Sequence, residues 1–418
     1  MQYSARIEQV GTPPITAVKG WIKGRTYSAI RPLVDLCQAI PDYPPAGGLR
    51  QYMQKMVTQP LVAVYTPDDG LEEVRSEVTA WYRRRYAGAT ALSAENICLS
   101  VGASQAFWLA MLLVAEPGDE VIIQTPAYFD HPMALETLGI IPVYIAETQK
   151  EASREEQGEE QGEEQGEEQG EEQGEGAKPM WATIEEQINP RTRAIVIVTP
   201  SNPTGRIQSV AEIEQLYACA RRHNIALVLD ETYNAFLPPG QAPHHLFNKP
   251  DWGRNFIHLA SFGKTFALTG YRAGALVADV ELIQRALKIQ DSMVVCQPRL
   301  TQMALTWGCR HLDAWVEYNA LSMRQRHDAF CTLFKSAEHG FELCSSGAFF
   351  AWVKHPWPQA SGWQVARHLA EEADLICLPG EAFGPGLHQY LRLAFGNLKQ
   401  EDVAAAVERF THVLPPRG

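Results

Sequence analysis

The chain reads as an α/β protein built on a mostly parallel sheet. Three runs predict this: Val121-Ile122-Ile123, Ala194-Ile195-Val196-Ile197-Val198 and Ala226-Leu227-Val228-Leu229. Each is continuous and apolar, rich in β-branched residues or leucine, which is the pattern of strands buried on both faces. Residues 210–222 place apolar side chains at helical spacing between two of these runs. Such strand-helix alternation gives a three-layer sandwich with helices on both faces of the sheet. In open α/β sheets ligands sit beyond the carboxyl ends of the strands. Functional residues are therefore expected directly after the apolar runs.

Taken in order, Ile97-Cys98-Leu99 predicts a strand and residues 107–114 a helix. The run 121–123 predicts the next strand and 141–145 another. Five copies of Glu-Glu-Gln-Gly then fill 155–174, followed by Glu175-Gly176. With no apolar residue and a glycine every fourth position, this tract cannot offset its own ordering entropy and disfavours helix. It reads as a disordered surface insertion over 151–178. Beyond it come the strands 194–198 and 226–229. Near the C-terminus, residues 345–353 alternate and are expected as one strand.

Composition narrows the class. Apolar residues make up 45% and charged residues 20%, the balance of a globular protein rather than a disordered or collagen-like chain. The longest apolar run, 106–115, is too short to cross a bilayer. Met1 to Arg6 lacks a charged segment leading into an apolar one, so no secretory leader is expected. Eleven glutamates of the acidic tract account for most of the net charge of −13; removing them leaves −2. No basic balance points to nucleic acid. The eight cysteines are scattered without a C-x-x-C pair, which suits buried, reduced thiols in the cytoplasm better than a zinc site or a disulfide framework.

Four constellations stand where the strand ends should be. Ser100-Val101-Gly102-Ala103-Ser104-Gln105 opens a helix with small residues, leaving backbone N–H groups free for an anion; the same residues open many helices for no such reason. Thr199-Pro200-Ser201-Asn202-Pro203-Thr204-Gly205 is a turn, yet a turn does not require an asparagine between two prolines. Asp230 ends an apolar strand with Tyr233 three residues later. A carboxylate there needs a cationic partner or caps the following segment. In Ser261-Phe262-Gly263-Lys264 through Arg272, one lysine and one arginine lie eight residues apart among small and apolar residues. Such a lysine can act as an amine nucleophile, and the arginine can grip a phosphate.

Together, Asn-Pro-Thr-Gly, Asp-x-x-Tyr and Ser-x-x-Lys with Arg eight residues on resemble the class I/II aminotransferases of the pyridoxal-phosphate-dependent fold-type I superfamily. The likeness runs over nearly the whole chain outside the acidic insertion. It implies a seven-stranded, mostly parallel sheet in a large domain at 49–293, and a small α+β domain from 1–48 and 294–418. It implies pyridoxal 5'-phosphate as cofactor, bound as a Schiff base to Lys264, with Asp230 on the pyridine nitrogen. Asn202 and Tyr233 would meet the phenolic oxygen. Gly102, Ala103, Ser104, Ser261 and Arg272 would hold the phosphate, and Tyr128 would stack on the ring. Tyr65 matches a tyrosine that reaches the neighbouring subunit's phosphate, implying a homodimer with shared sites. Arg392 matches the arginine for the substrate α-carboxylate. Leu36-Cys37-Gln38-Ala39-Ile40-Pro41 resembles the segment closing over substrate, so Ala39 and Asn202 also border it. Gly263, Cys37 and Ala39 depart from the usual residues. The missing hydroxyl at 263 could loosen a phosphate contact, and the Ala39 methyl could narrow the pocket.

The activity so implied is ping-pong transfer of an amino group from an L-amino acid to a 2-oxo acid, with no nucleic acid or membrane partner. The same lysine and aspartate would serve a β-eliminating C–S lyase or a cyclising lyase, and the motifs do not separate these. A transcription regulator built on the scaffold would need a basic DNA-binding module that the sequence lacks.

Overall fold

A computed structural model describes residues 1–86, 88–146 and 178–416. The Glu-Glu-Gln-Gly repeat lies outside the described residues. The strands in chain order are β1 Val34–Asp35, β2 Ile97–Val101, β3 Glu120–Thr125, β4 Ile141–Ala146, β5 Thr192–Val198, β6 Ala226–Asp230, β7 Phe256–Ser261 and β8 Ala273–Val277. They are followed by β9 Glu342–Gly347, β10 Phe350–Lys354, β11 Leu375–Ile376, β12 Leu378–Pro379 and β13 Tyr390–Ala394.

Seven of these form one sheet in the order β2-β8-β7-β6-β5-β3-β4. Only β8 runs against its neighbours β2 and β7; β6 pairs in parallel with β5 and β7, and β3 with β4 and β5. The expected sheet is therefore present, with all but one strand ending at the same edge. Its continuous apolar runs have a simple cause. Ile195, Ile197, Leu227 and Leu229 point into one core. Their neighbours Ala194, Val196 and Val228 point into another on the opposite face. The two-residue side-chain period thus needs apolar residues at every position.

The helix Val210–His223 begins with a reciprocal cap. The Ser209 hydroxyl accepts from the Glu212 backbone N–H, and the Glu212 carboxylate accepts from the Ser209 backbone. It ends at Asn224, which takes the left-handed conformation at φ 53°.

A second, four-stranded antiparallel sheet runs β12-β13-β10-β9. Its core gathers Phe330, Phe334, Phe349, Phe350, Phe395 and Phe410. The single strand expected at 345–353 is here two. Chain reversal at Ala348, with φ 48°, separates β9 from β10, which pair antiparallel as a hairpin. A tight turn interrupts the run where Ser-Ser-Gly supplies small residues, and β10 beyond it is buried at four consecutive positions rather than at alternate ones. Among the described residues, no helix is long and apolar enough to cross a membrane.

One close approach ties the two sheets together. Gly205 ends the turn after β5 at φ 75°, and a Cβ there would lie against the backbone of Gly347 at the end of β9, 2.6 Å from its carbonyl oxygen. Gly205→Ala combines a left-handed strain with this backbone clash, so a loss of about 2–4 kcal/mol is expected. Denaturant unfolding of the variant checks it; an unchanged midpoint would show that the two backbones separate freely.

Candidate active site

Strand ends place the residues. β2 runs into Gly102, whose φ of 81° turns the chain into the helix Gly102–Val114. A Cβ at Gly102 would meet the Arg272 guanidinium, so glycine is required for that approach. β5 delivers Asn202, β6 ends on Asp230, and β7 ends on Ser261 three residues before Lys264.

These positions converge on one cavity of about 630 Å³. Ala39, Ala103, Ser104, Tyr128, Asn202, Asp230, Tyr233, Ser261, Lys264, Arg272 and Arg392 all line it. Gly102 lies directly behind Arg272. Tyr65 lies outside this cavity and is 75% exposed.

Asp230 is buried, and one of its carboxylate oxygens is 3.2 Å from His131 Nε2. The other accepts from the Thr232 backbone N–H at 3.0 Å and hydroxyl at 2.6 Å. Burial pushes this carboxyl upward, but the His131 and Thr232 hydrogen bonds outweigh it and hold it below the usual carboxylate range. His131 is itself stacked on Phe107, ring centroids 4.1 Å apart at 18°. His131 stands three residues after Tyr128, and its pairing with Asp230 has no local signal in the sequence. The Tyr128 hydroxyl donates to Asp130 at 2.5 Å.

Lys264 donates to the backbone carbonyl of Ala39. Burial lowers its pKa to about 8, and the charges of Arg272 and Arg392 act in the same direction. Arg392 is 1% exposed. Its guanidinium donates to Asn202 Oδ1 at 3.1 Å and to the carbonyl of Cys37, and lies over the rings of Phe350 and Phe383. Its Nε is buried without a hydrogen-bond partner. Cys37 and Ala39 of the N-terminal segment therefore hold Arg392 and Lys264 through backbone carbonyls that no motif encodes. At Gly263 a side chain would find only ordinary contacts, 3.4 Å from Thr269 Cα and 3.6 Å from the Ser261 hydroxyl. The missing hydroxyl is thus not forced by crowding.

The donor set fits pyridoxal phosphate. Arg272, Ser261 and the start of the helix Gly102–Val114 offer a dianion both charge and hydrogen-bond donors. The amine of Lys264 suits an aldehyde, and a buried anion at Asp230 suits a protonated ring nitrogen. The partnerless Nε of Arg392 leaves one buried donor for a further acceptor. A doubly wound sheet with an amine of lowered pKa, an anion and two guanidiniums in one cleft at its carboxyl edge defines a Schiff-base enzyme of the vitamin B6 type.

Comparison with known proteins narrows this. The family model "Aminotransferase class I and II" matches residues 31–410. The chain belongs to that family and is a pyridoxal-phosphate-dependent aminotransferase. An aspartate aminotransferase of Sulfurisphaera tokodaii is 27% identical over 90% of this chain and 88% of its own length. An aromatic aminotransferase of Arabidopsis thaliana is 24% identical over 90% and 88%. In fold, the aspartate aminotransferase of Thermus thermophilus with maleate superposes with a TM-score of 0.83 at 23% identity, covering 99% of this chain and 100% of that one.

Proposed function

We propose that Lys264 is both the covalent anchor of pyridoxal phosphate and the base at the substrate's Cα, and that Arg392 receives the α-carboxylate of the amino acid and of the 2-oxo acid. The observation that carries this reading is the convergence of the Lys264 amine, the Asp230 carboxylate and the Arg392 guanidinium in one cavity.

When bound, pyridoxal phosphate supplies an electron sink that acidifies the substrate's Cα–H bond. The protein's part is orientation and charge. Arg272, Ser261, Ser104 and the backbone of Gly102 and Ala103 would hold the phosphate. Asn202 and Tyr233 would hold the phenolic oxygen, and the Tyr128 ring would cover one face. Asp230 stays anionic at neutral pH through His131 and Thr232, and so would keep a proton on the ring nitrogen of the cofactor. Lys264 Nζ, partly neutral at pH 7, takes the proton from Cα and can return it elsewhere, because it is already held close. Arg392 remains cationic despite burial, and Asn202 fixes its plane while its free edge faces the carboxylate. Ala39 borders the substrate.

The wider assignment rests on the surface and the thiols. Val57, Leu61, Val64 and Tyr65 are exposed on one stretch of chain, and Arg299 grips the carbonyls of Val64 and Tyr65 at 3.0 and 2.7 Å. An ordered, exposed apolar stretch of this kind supports a second copy covering it, with Tyr65 reaching that copy's phosphate in a homodimer. All eight cysteines are free, which supports a reducing, cytoplasmic setting. The large domain is assigned to 49–293 and the small one to 1–48 with 294–418.

Arg392→Gln tests the substrate assignment. KM for amino acid donors should rise on the order of 100-fold, the value of a buried charge-assisted pair. The visible absorbance of the bound cofactor should be unchanged, and turnover of an amine lacking a carboxylate should be unaffected. Equal losses for both donor types would remove Arg392 from the carboxylate site.

A further inference from the structure

Among the described residues lining the active-site cavity, the carboxylates are Asp230 and Asp130. Asp230 is committed to His131 and Thr232. Asp130 has no part in the chemistry assigned so far. It opens the helix Asp130–Leu138, and Asp130, Met133, Ala134 and Thr137 all line the cavity. Steps of three, four and seven residues mark one face of a helix, so Asp130 stands on the face that meets the substrate.

Asp130 Oδ2 accepts from the Tyr128 hydroxyl at 2.5 Å. Burial raises that hydroxyl well above its ordinary pKa and the Asp130 charge raises it further, so the phenol stays the donor and Asp130 the acceptor. Among the described residues, nothing donates to the second oxygen, Oδ1. At Tyr233, burial raises the pKa, Arg392 opposes the rise, and the charges of Asp230 and Asp130 both add to it. Asp130 thus acts within the electrostatics of the site.

Three cations line the same cavity: Lys264, Arg272 and Arg392. The reading above gives them to the cofactor's aldehyde, its phosphate and the substrate's α-carboxylate. Among the described lining residues, no lysine or arginine is left for a second carboxylate on the substrate. Lys19 is tied to the lining residue Gln38, whose Oε1 accepts from its Nζ at 2.6 Å, and does not itself line the cavity.

We propose that Asp130 is a specificity-determining residue, selecting L-amino acids whose side chain ends in an N–H donor, an amide or a cation, over dicarboxylic amino acids. This rests on the Arg392 reading, which places the α-carboxylate. Ile15, Ile40 and Met133 offer apolar walls to the methylene groups of such a side chain. Oδ1 of Asp130 accepts from its terminal N–H. A carboxylate in that place meets a like charge with no cation to offset it, in a cleft where water screens the repulsion poorly.

The test follows the half-reaction of the holoenzyme with one donor at a time, read from the absorbance of the bound cofactor. Glutamine and glutamate share their length and α-carboxylate and differ in the end group. The second-order rate constant for glutamine should exceed that for glutamate by at least about tenfold, the range of one charge-assisted hydrogen bond. Asp130→Asn removes the charge at constant size and should shrink this ratio by about tenfold. Calorimetry with unreactive analogues gives a second readout. Glutaramate, the monoamide, should bind the parent holoenzyme at least about tenfold more tightly than glutarate, and this comparison decides even if Asp130→Asn fails to fold.

An Asp130 that only holds Tyr128 would slow both donors alike on substitution and leave the ratio unmoved, which overturns the proposal. So does a preference for glutamate in the parent enzyme, or reaction with neither donor. Arg392→Gln separates this proposal from the reading beneath it, since it should weaken both donors alike. If it weakens glutamate alone, the arginine serves the side-chain carboxylate and the Arg392 reading falls. If both weaken alike while glutamate stays preferred, the failure lies at Asp130.

Discussion

Replacing Lys264 by Ala should abolish transamination, with a loss on the order of 10⁴-fold or more, because the proposed roles put both anchor and base on one amine. The visible absorbance of the bound cofactor should vanish with it. In the parent enzyme the same amine sets a pH dependence. Its pKa of about 8 stands below the ordinary 10.5. At pH 7 about a tenth of it is neutral and at pH 8 about half. Covalent capture of added pyridoxal phosphate by the apoenzyme should therefore quicken nearly tenfold per pH unit below 8 and level off above it. The cause is burial beside Arg272 and Arg392, so the amine loses its proton at a lower pH than it would in water. Stopped-flow absorbance across pH 6–10 reads this directly. A rate still climbing steeply between pH 9 and 10 would mean that the amine titrates like a solvated lysine. Turnover surviving in Lys264→Ala would move the chemistry to another residue.

Asp230→Ala should leave the enzyme coloured but slow. The carboxylate is anionic because His131 and Thr232 stabilise it against burial. On the proposed pairing, its loss would leave the ring nitrogen without the anion that would keep it protonated, and proton removal from Cα should fall on the order of 10³-fold. Asp230→Asn separates charge from shape: it retains a side chain of the same size, and should be nearly as slow as the alanine variant. Single-turnover loss of the Cα proton, followed with deuterated donor, measures the step itself. Near-normal rates in the Asn variant would show that the charge at 230 does not drive the reaction.

Much of this protein was legible locally. The strands of the large sheet could be read because burial on both faces demands unbroken apolar runs, visible within five residues. Asn202, Asp230 and Lys264 could be read because polar groups placed immediately after such runs must face the carboxyl edge. The hairpin of β9 and β10 was not legible, since the reversal uses Ala348 in a left-handed conformation rather than a glycine. The role of His131 was not legible, because its partner Asp230 lies about a hundred residues further along the chain.

The order of elements, the chemistry of each strand end and the family of the enzyme were written in the residues themselves, since each depends on side-chain type and short spacing. Only the folded chain decided that Asp230 stays charged, that the Lys264 amine loses its proton early, and that Arg392 is held by Asn202 and the Cys37 carbonyl. Those outcomes come from desolvation and from contacts between groups up to 355 positions apart. Burial and long-range approach are properties of three-dimensional packing, which no local pattern of residues contains.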